Sequence, residues 1–113
     1  MLDFELEKKW QKTLDFFQEQ HGPMDVSSVL FLIGVQEVGR GFMKLTKDKK
    51  LEVIHVGVCA VLEPYGYYVF LGKDKDGWPH YENEQKLPAL NSAEQQNMLK
   101  EAIVTYFENE KIF

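Results

Sequence analysis

Cysteine occurs once, at Cys59, which excludes an internal disulfide framework and any site built from several cysteines. Arginine also occurs once, at Arg40, and 13 Lys and Arg face 18 Asp and Glu, for a net charge of -5. Nucleic-acid binders draw affinity from neutralised phosphates, so this balance argues against that class of partner. Long apolar runs are missing too. The longest uncharged apolar stretch, Val26 to Val35, falls well short of the roughly 20 residues a membrane-spanning helix needs. The start Met1-Leu2-Asp3-Phe4-Glu5 has neither the basic nor the apolar region of a signal peptide, and no lipidation motif stands at either end. The expectation is a cytoplasmic chain with a reduced thiol and no membrane partner.

What is present is core material. The chain has 113 residues, 44% hydrophobic, 27% charged and 13% aromatic, without repeats or low-complexity segments. That predicts one compact domain over 1–113.

Glycine and proline cut the chain into five pieces. The first, about Asp3 to Gln20, spaces Leu2, Leu6, Trp10, Leu14 and Phe17 along one helical face, with Asp3 as cap and Gly22-Pro23 as stop. Phe4 falls on the opposite face. The second, Val26 to Val38, follows Asp25 as N-cap and is apolar nearly all round, which places it at the centre of the fold. The third, Leu51 to Leu62, spaces Leu51, Ile54, His55, Val58 and Leu62 as a helix, although its many valines favour a strand. If it is helical, Gly57 is placed to face Gly34 across a close crossing. The fourth is a β-hairpin: Tyr67 to Leu71, a turn at Asp74-Lys75-Asp76-Gly77, and Trp78 to Glu82, with Pro79 marking an edge. The fifth, about Ala93 to Glu108, opens on two capping-box pairs, Asn91 with Glu94 and Ser92 with Gln95. The expected fold is mainly α, with four helices and a small hairpin between helices 3 and 4. The alternative is α+β, with a three-stranded antiparallel meander from 51 to 82.

Motifs for chemistry are weak. The turn at Asp74 resembles part of a calcium loop, but with Gly77 at the sixth position the first and twelfth ligands fall on Gly72 and Asn83, and neither serves. His55 and Cys59 share a helix face, yet Cys59 sits near a helix C-terminus among apolar neighbours, an environment that disfavours a thiolate. It reads as core. His21, His55 and His80 show no metal-ligand spacing, and no metal, cofactor or catalytic residue is expected. Arg40 follows Glu37 by three residues, the spacing of a local helix ion pair. The lysines from Lys44 to Lys50 read as a solvated loop and helix start.

The remaining signal is aromatic. Trp78, His80 and Tyr81 gather on the hairpin with Tyr65, Tyr67 and Tyr68. Such residues either form an interface or pin a hairpin to a helical layer. The expected function is therefore a small protein-interaction or scaffold domain, self-associating or bound to another protein, with Trp78, His80, Tyr81 and Arg40 as candidate contacts. The alternative is a small-molecule binder or enzyme with a pocket near His55, Glu37, Arg40 and His80.

Overall fold

The computed structural model describes residues 4–22, 24–39 and 46–109. Leu2, Asp3, Pro23, Arg40 and Lys44, on which parts of the expectations above rest, lie outside the described residues, as does the side chain of His21. The elements in chain order are α1 (Phe4–His21), α2 (Val26–Val38), α3 (Lys47–Leu62), β1 (Tyr68–Lys73), β2 (Pro79–Asn83) and α4 (Ser92–Asn109), with a 3-10 turn at Glu63–Tyr65. The architecture is mainly α with one antiparallel hairpin between α3 and α4. The alternative meander is set aside, because residues 47–62 are one continuous helix.

The valines of α3 do not make it a strand because the tertiary packing wants a helix there. Val53, Val56 and Val61 are buried. Burial on a helical face outweighs a small intrinsic β preference. The helix starts earlier than Leu51. Thr46 caps it, its hydroxyl accepting from the Lys49 N–H at 3.2 Å, so Lys47, Lys49 and Lys50 belong to the first turns. Asp25 caps α2 in the same way, accepting from the Ser28 N–H at 2.8 Å. That bond holds its carboxyl below the usual range.

The closest packing lies between α2 and α3. A Cβ on Gly34 would sit 2.0 Å from the Val53 carbonyl oxygen, and one on Gly57 would sit 2.1 Å from that of Leu30. The contacts run in opposite chain directions, so the helices are antiparallel. The spacing predicts that the two glycines face each other; they do not. Each faces the backbone of the other helix, one turn apart, so a single crossing uses both. The mutual approach leaves the small Cα hydrogens against carbonyl oxygens, a weak but favourable contact.

The remaining core is added to this pair. Val29, Leu30 and Ile33 of α2 join Val61 and Leu62 of α3 and Ile103 and Phe107 of α4 in one cluster. Trp10 of α1 completes it, with Phe17 against Phe107 at 5.2 Å between ring centroids. The wrapping of α2 is incomplete: Phe31, Leu32 and Val35 are only partly buried. Phe4 is exposed. At the start of α4, Asn91 and Glu94 form the reciprocal capping box at 2.9 and 3.0 Å. Gln95 bonds instead to the Leu90 carbonyl, so the second expected pair does not form. Thr13, the one buried polar residue among those described, returns its hydroxyl to the Lys9 carbonyl at 3.0 Å.

The glycine crossing has a measurable consequence. Alanine raises helix propensity over glycine by up to about 1 kcal/mol. Gly34→Ala and Gly57→Ala should nevertheless each destabilise the protein, by about 1–3 kcal/mol, because the methyl group collides with backbone that cannot rotate away. Urea denaturation reads the sign directly. The double variant should lose less than the sum, since helices parted by one methyl already have room for the other.

Candidate functional site

The hairpin lies along α3, and the contact is built from the turn upward. Asp74 organises the tip. Its backbone carbonyl accepts from the Gly77 N–H at 2.9 Å, closing a four-residue turn with Gly77 at φ +85. Its side chain accepts from the Asp76 and Trp78 N–H groups at 2.9 and 3.0 Å. The second carboxylate oxygen lies 2.9 Å from His80 Nε2. The His80 contact, then these N–H bonds, lower the Asp74 pKa. His80 is thereby a structural partner of the turn.

The ladder pairs Tyr68 with Asn83 and Phe70 with Tyr81, then Gly72 with His80. Leu71 is the extra residue of a bulge. Alternation sends Pro79 and Tyr81 toward the helices and His80 and Glu82 away from them. Pro79, the first residue of β2, is buried, where its missing donor costs no ladder bond.

Trp78 and Tyr81 therefore pin the hairpin more than they display it. Lys49 of α3 places its ammonium 4.7 Å from the centre of the Trp78 ring and bonds Glu52 at 3.1 Å. Tyr81 stacks at a tilt against Phe70 at 5.4 Å. Between this wall and the face of α3 that carries Leu51, His55, Val56 and Cys59 lies a cavity of about 460 Å³. At its floor Cys59 is 2% exposed. Its Sγ is 3.5 Å from His55 Nε2. Burial pushes the thiol up to about 11. An activated nucleophile needs the opposite shift, so burial works against thiolate formation in this pair.

Glu37 lies elsewhere. It accepts a 2.6 Å hydrogen bond from the Tyr106 hydroxyl, tying α2 to α4 across 69 positions of sequence. With Glu63, Tyr81 and Tyr106 it lines a smaller polar cavity of about 200 Å³. Tyr81 reaches both cavities. Burial, reinforced by the negative charge of Glu37, pushes its phenol up to about 12.

Of the residues expected near one pocket, His55 and Glu37 thus line different cavities, His80 is bound to the hairpin turn, and Arg40 lies outside the described residues. Sequence reasoning missed Cys59 and Val56 as the cavity floor and Tyr106 as the partner of Glu37. Helical spacing places Val56 and Cys59 next to His55. No local signal pairs Glu37 with a residue on α4.

Cys59 and Tyr81 predict an alkaline weakness. Both are held protonated in the fold, so the unfolded chain releases its protons first as pH rises. Stability tied to Cys59 is intact below 9.0 and drains as pH climbs to about 11. For Tyr81 the window runs from 10.0 to about 12. Denaturation curves across this range should fall less steeply for Tyr81→Phe than for the wild-type chain, with the difference confined to the upper window.

Comparison with protein-family models, with curated proteins and with solved structures gives no match for this chain.

Proposed function

We propose that the protein is a small protein-interaction domain that associates with a second copy of itself through the outer side of β1. The observation that carries this is a run of three exposed apolar residues, Val69 at 40%, Phe70 at 45% and Leu71 at 61%. Val69 and Phe70 alternate faces, with Phe70 on the side of Tyr81 and Val69 on the side of Glu82. Isolated exposed apolar side chains are ordinary, but a strand edge that leaves them exposed on both faces is an interaction surface. The two edges of the hairpin also differ. Edge strands are usually protected by proline or charge. β2 has both, in Pro79 and Glu82, whereas Tyr68 to Leu71 of β1 carry no charge.

A second copy suits this edge. A lone two-stranded ribbon is marginal, and pairing two of them across a two-fold axis makes a four-stranded sheet. An antiparallel register centred on Phe70 sets Lys73 opposite the partner copy's Tyr67 and opposes no like charges. The net charge of -5 repels two copies elsewhere, so an uncharged strip is where they meet with least cost. Cytoplasmic residence belongs to the same proposal and is supported by the unpaired thiol of Cys59. No helix among the described residues is long and apolar enough to cross a membrane.

Analytical ultracentrifugation tests the proposal. The wild-type chain should sediment as a concentration-dependent dimer, and Leu71→Lys should shift it to monomer with the unfolding midpoint of the dilute, dissociated wild-type chain. Trp78→Ala, which loosens the hairpin from α3, should lower the midpoint instead. A monomeric wild-type chain, or a dimer indifferent to Leu71→Lys and Val69→Lys, removes β1 from the account.

A further inference from the structure

The cavity between α3 and the hairpin has the size and chemistry of a ligand site, independently of the outer side of β1. Its volume of about 460 Å³ falls in the range of small-molecule sites, about 300–1,000 Å³. The floor is made by Val56 and Cys59, both buried. One wall is the indole of Trp78 and the ring of Tyr81; His55 stands opposite on α3. A polarizable sulfur beneath aromatic rings favours a flat π-system over an aliphatic chain.

Charge narrows the class further. Burial keeps the Cys59 thiol and the Tyr81 phenol protonated, so the interior rejects negative charge. At the rim Lys49 and Glu52 neutralise each other, and the Lys49 ammonium already covers Trp78. They clasp α3 to the hairpin, and each already has an opposite charge or a ring as its partner. His55 offers a polar handle: its Nε2 faces Cys59, and among the described residues its Nδ1 has no hydrogen-bond partner.

We propose that this cavity binds a neutral, planar aromatic small molecule of one or two rings with a single hydrogen-bonding group, its rings over Cys59 and its polar group toward His55.

The full chain, isotope-labelled, is titrated with 1-naphthol and with its anionic analogue 1-naphthoate while amide shifts are followed by NMR. Saturable shifts from 1-naphthol are expected at Val56, Cys59, Trp78 and Tyr81. The naphthoate should bind at least about tenfold more weakly, because its carboxylate must be desolvated. Cys59→Met fills the floor and should weaken 1-naphthol by a similar factor. Should that variant not fold, Leu51→Trp closes the mouth from an exposed rim position and should give the same loss. Equal affinity for the two compounds, an absence of saturation, or shifts centred instead on Met24 and Phe31 of the α2 cavity overturns the assignment.

Discussion

The reciprocal approach of α2 and α3 at Gly34 and Gly57 is the constraint from which the rest of the structure hangs. Helix axes separated by ordinary side chains lie about 8–10 Å apart. With glycine on each helix turned toward the opposite backbone, the pair closes further and Leu30 and Val53 meet it directly. This brings Val29, Ile33, Val61 and Leu62 into one layer on which α4 and then α1 can settle. Moving the two helices apart would therefore disturb the seating of α4 as well as their own contact.

The same crossing positions the candidate site. Because α3 packs on α2 through one face, another face is left to receive the hairpin. The hairpin does not close onto it completely. Pro79, Tyr81 and the Lys49–Trp78 contact hold β2 at a distance, and the space left over is the cavity. Inside it Cys59 and Tyr81 are driven toward their neutral forms by burial. The arrangement suits binding an uncharged guest and does not suit nucleophilic chemistry, where a thiolate would have to be stabilised. On β1 the bulge at Leu71 interrupts the alternation and leaves a further large apolar side chain exposed beside Val69 and Phe70.

Much of the fold was legible in local pattern. Asp25 as a cap, Asn91 with Glu94 as a capping box, and Asp74 to Gly77 as a turn each act through bonds spanning two to four residues. Such interactions are written in consecutive residues and need no tertiary partner. The start of α3 was harder, because Thr46 as cap precedes a lysine run that resembles a loop. The candidate site was legible only in part. Trp78, Tyr81 and His55 were marked by residue type, but their assembly into one cavity depends on how far the hairpin stands from α3. Glu37 was paired by spacing with Arg40, and its bond to Tyr106 spans 69 positions of sequence.

The sequence by itself determined the helical segments α1, α2 and α4, one hairpin, most of the caps and turns between them, and an acidic chain without a disulfide or a long apolar span. These follow from periodicity, backbone preference and composition, which are properties of short stretches. Only the tertiary structure decided that the valines of α3 form a helix, that Gly34 and Gly57 face backbone and not each other, and that His80 serves the turn. It also decided that Cys59 lies under aromatic rings. In each case the outcome is set by burial against a distant surface, and the energy of that contact exceeds the local preference that spacing alone reveals.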